Sequence, residues 1–269
     1  MELHWRSVAV AHYVEEPDLP ADVSPRPYLH PVRTAGGLAV TAFMPPDHQH
    51  HFGVNVAIPD VAGHNFWGGR TFVRDQGPTW LDNHGRQVHV RWIGDGVEEL
   101  LWLARDGAPV MRERRTLAAR DVDSFWALDF SFELSNVTGG PLAIGSPATN
   151  GRPGAGYGGF FWRLSGGPGA VRPYGPSADG EQAVHGCRAP WVAMAGEGWT
   201  LVFVAGDAAT RADPWFVRAA EYPGVGSSLA WDRPLAVPSG GVVARRIVTI
   251  VADGLVPPDR AAALAAEVT

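Results

Sequence analysis

The sequence predicts one all-β domain over residues 1–269: a large antiparallel β-sandwich with a short C-terminal helix. Three observations point there. Glycine and proline, 33 and 23 residues, are spread along the whole chain, as turns between many short strands require. Apolar and polar residues repeatedly alternate, the period of a strand with one buried face. No composition shift marks a second domain, and no repeat period marks a propeller or solenoid.

The elements follow in order. His48 to Ile58 reads as a strand entered through a polar loop. Its alternation would put His48 and His50 on the face of Phe52, Val54, Val56 and Ile58, and His51 and Asn55 on the other. Asp82-Asn83-His84-Gly85 lies between two extended runs and predicts a hairpin loop, after which Gln87 to Trp92 alternates. In Val110 to Leu117, Glu113 and Arg115 share a face with Met111 and Leu117, which fits a solvated edge strand, a pocket or an internal ion pair. Phe125 to Ser135 is the clearest strand: Trp126, Leu128, Phe130, Phe132 and Leu134 alternate with Asp129, Ser131, Glu133 and Ser135. Asn136 to Pro141 is a connection, and Thr200–Ala205 and Val242–Val251 are apolar and β-branched enough for central strands. Only Pro257 to Glu267 reads as helix, with prolines ahead of an alanine-rich segment and Asp259 near its start. Fifteen or more strands are expected.

Composition excludes several function classes. A 45% hydrophobic and 19% charged chain has the means to build a core and is unlike a disordered one. The net charge of -6 and the lack of a basic run argue against nucleic acid and anionic membranes as partners. Met1 to Arg6 lacks a signal-peptide pattern, no apolar run approaches the roughly 20 residues of a membrane span, and Cys187 has no partner cysteine; a cytoplasmic protein is the expectation. All 22 basic residues are arginine. Without lysine there is no pyridoxal-phosphate Schiff base, no lysine-dependent aldolase and no P-loop lysine.

The richest polar chemistry lies between Asp47 and Arg70, which holds four of the ten histidines. Imidazole transfers protons near neutral pH and ligates metals. His50 and His51 are the first catalytic candidates, with His64 or Glu113 to return a proton and Arg115 or Arg188 to stabilise negative charge on oxygen. His48 and His50 are the candidate pair for a minority metal site, but no His-Glu-x-x-His or cysteine pair is present, and no cofactor is expected. Trp67 would stack on a sugar face while Asn55, Asn65 and Arg70 bind its oxygens. Asn150, Arg152, Tyr157, Arg188 and Trp191 are further substrate-binding candidates. Gly154 to Gly159 matches Gly-x-Gly-x-x-Gly, but a strand-like run follows where a dinucleotide site needs a helix. No Gly-x-Ser-x-Gly occurs, and Cys187 has no evident base, which disfavours a nucleophilic hydrolase.

Arg26-Pro27-Tyr28-Leu29-His30-Pro31, Asp47-His48-Gln49-His50-His51-Phe52-Gly53, Asn65-Phe66-Trp67-Gly68, Arg188-Ala189-Pro190-Trp191 and Pro214-Trp215-Phe216-Val217-Arg218 occur in an order that resembles the bacterial DUF6807 family. Automated labels call such proteins "methane oxygenase PmoA". Gln49 and Phe52 stand where that pattern more often has proline and arginine. The oxygenase label does not suit a chain without a membrane span. The resemblance implies a galactose-mutarotase-like sandwich, with His50 and His51 as site histidines and Asn65, Arg188 and Trp191 nearby. Residues and resemblance together lead to a carbohydrate-active protein performing epimerisation or elimination/hydration on a sugar or oxidised sugar, with a small-molecule carbohydrate as partner. The alternatives are a non-catalytic carbohydrate-binding module or accessory subunit, and a metal-dependent sugar lyase or isomerase.

Overall fold

A computed structural model describes residues 1–269. In chain order the first strands are β1 (Glu2–Trp5), β2 (Val8–Val14), β3 (Tyr28–Val32), β4 (Val54–Ala57), β5 (Asp60–Val61), β6 (Thr71–Val73) and β7 (Gly77–Thr79). The middle of the chain forms β8 (Arg86–Gly94), β9 (Val97–Leu103), β10 (Pro109–Val122), β11 (Phe125–Asn136), β12 (Leu142–Gly145), β13 (Gly159–Arg163) and β14 (Arg172–Tyr174). Helix α1 (Glu181–Val184) precedes β15 (Trp191–Gly196) and β16 (Trp199–Ala205), and α2 (Ala208–Ala212) precedes β17 (Trp215–Arg218). The last elements are β18 (Gly224–Ser227), β19 (Leu235–Val237), β20 (Val242–Asp253) and α3 (Pro258–Glu267).

Two antiparallel sheets make the sandwich. One has the order β1-β2-β3-β4-β13-β18-β17, the other β14-β15-β16-β20-β11-β10-β9-β8. Their inner faces meet in one core: Phe160 and Trp162 of the first sheet pack edge-on against Phe130 and Phe203 of the second. Burying side chains of this size stabilises by about 1.5–3 kcal/mol each.

The outer face of the second sheet is also apolar. Val202, Val204, Val248 and Ile250 face outward and are covered by Ala261, Leu264 and Ala265 of α3. A helix with Pro258 in its first turn and small residues on its inner stripe sits close on that sheet. This is why β16 and β20 are apolar on both faces. No helix is long and apolar enough to cross a membrane.

Three local expectations are corrected. Asp82–Gly85 is not a hairpin loop, because β7 pairs with β6 and β8 pairs with β9. β10 is an interior strand between β9 and β11, not a solvated edge. Regular strand begins only at Val54, and the parity read across His48–Ile58 fails at Gly53. That residue has φ +38, and a Cβ there would strike the Leu29 carbonyl, so the chain turns where a strand would run on.

Candidate functional site

From Val54 onward the alternation holds. Val54 and Val56 enter the core, while Asn55 and Ala57 face outward. On β13, Phe161 faces outward between core-facing Phe160 and Trp162, and on β17, Phe216 and Arg218 do so opposite Trp215 and Val217. A cavity of about 440 Å³ opens beside this outer face of the seven-stranded sheet. Loops roof it: Pro46–His51, Trp67–Arg70, Arg152–Tyr157 and Glu221–Tyr222 all contribute.

Three histidines converge in it. Because residues 48–51 form a turn, with the His51 amide donating to the His48 carbonyl at 3.0 Å, their rings are not split between two faces. The His48 ring stacks on His51 at 4.6 Å between centroids, and His50 meets His51 edge-on at 4.7 Å. Tyr222 lies 4.6 Å from His48 and 5.1 Å from His51. Trp67 abuts His51 at 5.7 Å and Tyr157 at 4.5 Å, and Tyr157 meets Phe216 at 5.4 Å. The cavity therefore has one imidazole wall and one aromatic wall.

Two buried polar groups hold these loops. Arg26 is fully buried and donates from Nε to Asn55, from NH1 to the Val23, Ser24 and Trp67 carbonyls, and from NH2 to the His50 carbonyl at 2.7 Å. Asn65 accepts from the Trp67 and Gly68 amides, both at 2.8 Å, and shapes the second loop. Gly68, at φ +98, lets that loop approach: a Cβ there would press on the Val23 carbonyl and come 2.7 Å from His50 Cβ.

The electrostatics favour neutral imidazoles. Burial lowers the His50 pKa to about 3, with Arg26, His48 and His84 adding to the effect. Burial also holds His51 well below the usual range, helped by His50, His48, Arg163 and Arg26. His51 is 1% exposed, and its Nδ1 has no hydrogen-bond partner. Burial raises the Tyr157 phenol to about 12 and pushes Tyr222 up as well, so both are protonated donors at neutral pH. Neither hydroxyl is held by a protein hydrogen bond. His48 Nδ1 lies 2.9 Å from an Asp47 carboxylate oxygen.

The candidate metal pair, His48 and His50, has ring centroids 5.8 Å apart at an interplanar angle of 58°. No group of three or more His, Cys, Asp or Glu side chains is arranged to hold an ion.

Of the residues singled out in the sequence, His50, His51, Trp67, Arg70, Arg152 and Tyr157 line the cavity, and so does His48. The others do not. Asn55 and Asn65 support the loops from behind. His64 faces a separate hollow with Asp82, Asn83 and Arg105. Glu113 and Arg115 are fully buried in the core, where Arg115 donates twice to Glu113, at 2.7 and 3.0 Å, and Trp102 donates to Glu113 at 2.8 Å. Asn150 bonds Asp60, Arg188 bonds the Ala212 carbonyl, and Trp191 packs against Tyr174 in the core under α3.

The cavity also takes residues the sequence reading did not select, Phe216, Arg218, Glu221 and Tyr222, together with Trp80 and, at its rim, Arg152. Phe216 and Arg218 carried a usable signal, since Trp215-Phe216-Val217-Arg218 alternates and its aromatic and cationic partners share a face. Tyr222 carried none, because a loop of irregular backbone places it.

Comparison with known proteins returns a family match and a weak structural one. A search of curated proteins finds no match. A solved structure from Klebsiella pneumoniae subsp. pneumoniae MGH 78578, described as "a putative aldose 1-epimerase", is similar at 10% identity and a TM-score of 0.31. That likeness covers 64% of this chain and 57% of the other, so less than two thirds of that protein's length is spanned. The family of unknown function DUF6807 matches residues 1–266. The chain belongs to the DUF6807 family.

Proposed function

We propose that the cavity binds a sugar or oxidised sugar and acts on it by acid/base chemistry, in the manner of an epimerase, isomerase or lyase. The observation that carries this is the His51 ring: buried, neutral and without a partner for Nδ1, in the wall of a cavity faced by two unpartnered phenols. Desolvating an imidazole with an unmet hydrogen bond costs stability, and such groups collect where they are used. Trp67, Tyr157 and Phe216 give the cavity an aromatic wall against which a sugar ring could pack.

The roles follow from protonation state. His51 or His50, neutral, accepts a proton from the carbon beside a carbonyl or from a ring hydroxyl. Tyr157 and Tyr222, protonated, donate hydrogen bonds to the oxygen on which negative charge develops. His48, oriented by Asp47 and stacked on His51, is the second group for proton return. It takes the place that His64 and Glu113 held in the sequence reading, and Arg218 takes that of Arg115, since His64, Glu113 and Arg115 lie outside the cavity.

The test is an NMR screen of free sugars, 3-keto-glycosides and sugar acids for anomeric exchange or for exchange of carbon-bound hydrogen with deuterium. The expected result is exchange with at least one class, lost in His51→Asn and His50→Gln while binding persists. Binding without exchange in the native protein identifies a binding module and overturns the catalytic part. No binding at all overturns the sugar reading.

A further inference from the structure

Two arginines lie buried directly behind the walls of the cavity, and neither is in an ion pair. Arg26 is fully buried and bonds one amide oxygen and four carbonyls, but no carboxylate. Arg163 is 3% exposed; its NH1 donates to the Pro223 carbonyl, its Nε has no partner, and its guanidinium lies 5.0 Å from the centre of the Tyr222 ring. Elsewhere this protein pairs its buried or half-buried arginines with acids: Arg115 with Glu113, Arg245 with Asp213, Arg246 with Asp129. A buried guanidinium without a counter-charge costs free energy and persists where its field is used.

The rim adds to that field. Arg70 and Arg152 line the cavity, are exposed and enter no ion pair. Arg218 lines it too, held by the His185 ring at 3.1 Å and with Glu181 no nearer than 3.7 Å. Arg152 and Arg218 both line the cavity and both act electrostatically on the Tyr157 phenol. Three acids also line the cavity, Asp22, Asp47 and Glu221. All three are exposed, so water and salt screen them, whereas the buried pair of arginines is screened far less.

We infer that the ligand is a sugar acid, with its carboxylate seated between Arg152, Arg218 and the Tyr157 hydroxyl and its ring against the aromatic wall of the cavity. This rests on the sugar-site reading and narrows it. The planar guanidinium fork matches a carboxylate bidentately, and lysine, the compact alternative for phosphate, is absent from the chain. The ligand's charge supplies the counter-ion that Arg26 lacks and adds to the Asp47 charge that already acts on Arg163. The same positive field keeps the imidazoles neutral beside an anionic ligand, which would otherwise raise their affinity for protons.

The experiment compares the binding of galacturonate and glucuronate, their methyl esters, galactose and glucose, and glucose 6-phosphate, by NMR titration or calorimetry. At least one free acid is expected to bind about tenfold or more tightly than its ester and neutral parent, an advantage that shrinks in high salt and in Arg152→Gln. Arg152 is exposed and unpaired, so that variant tests charge without unfolding the chain. Equal affinity for acid and neutral sugar overturns this inference and leaves the sugar reading standing. Preference for the phosphate ester overturns the carboxylate assignment. Binding of none of these sugars overturns both.

Discussion

Glu113→Gln separates a structural role from a catalytic one. Glu113 and Arg115 are both at 0% exposure, joined by two hydrogen bonds of 2.7 and 3.0 Å. Arg115 also donates to the Tyr13 hydroxyl at 3.0 Å, to Gln87 at 3.1 Å and to the Pro27 carbonyl at 3.2 Å. Beyond Tyr13 lies Glu98, which also bonds His89 at 2.6 Å, so a ring of polar groups ties β2, β8, β9 and β10 across the sandwich. The amide keeps the shape and still accepts from Trp102, but it removes the carboxylate that balances a guanidinium with no access to water. Breaking a buried pair in this way costs about 3–5 kcal/mol. Against a total stability of about 5–15 kcal/mol that is a large fraction, and with a urea dependence near 3 kcal/mol/M it moves the unfolding midpoint down by about 1–1.7 M. Arg115→Met in the same background should cost far less than it does alone, because the partner charge is already gone. Urea denaturation read by tryptophan fluorescence measures both. A loss below about 1 kcal/mol together with abolished ligand binding would refute the reasoning and return Glu113 to the site.

Other outcomes follow from the site. Tyr222→Phe keeps the ring against His48 and His51 and removes only the unpartnered hydroxyl; stability should change by less than about 0.5 kcal/mol while ligand affinity drops by roughly threefold to tenfold in calorimetry. Gly68→Ala places a methyl against the Val23 carbonyl and His50 Cβ at a positive φ; a stability loss of about 1–3 kcal/mol and a weakened site are expected, and native-like thermal melting with native affinity would contradict the loop geometry. The two buried histidines set an acid limit. Their folded pKa values lie below the unfolded value of about 6.5, so the unfolded chain takes up more protons as pH falls from there toward 3, and the stability present at neutral pH is lost across that window. Urea midpoints at pH 7 and pH 5 should differ more for the native protein than for His50→Gln; equal differences would mean that His50 is not buried neutral.

Much of the architecture was legible because it rests on local period. Phe125–Asn136 alternates as β11 does, and the proline-led, alanine-rich C-terminus is α3. The His48–His51 and Trp67–Arg70 segments stand out in the sequence because titratable and aromatic residues crowd there, and both line the cavity. What failed were inferences that carried local period through a turn or guessed partners across the fold. Gly53 breaks the strand parity, and with it the assignment of His48 and His50 to one face and His51 to the other. Gln87 and His89 face inward on β8 because Arg115 and Glu98 give them partners there, which is a property of the assembled sheet and not of that strand. Tyr222 and Glu221 reach the cavity from a loop that pattern does not describe.

The central claim is that His51 is a neutral base in a sugar-binding cavity, and hydrogen–deuterium exchange of a bound sugar tests it most directly. Proton NMR of the sugar acid in deuterated buffer at neutral pH should show loss of one carbon-bound hydrogen, or collapse of the anomeric pair in a saturation experiment, with native protein. His51→Asn should bind the same sugar and leave its spectrum unchanged. Exchange at the native rate in His51→Asn would contradict the account.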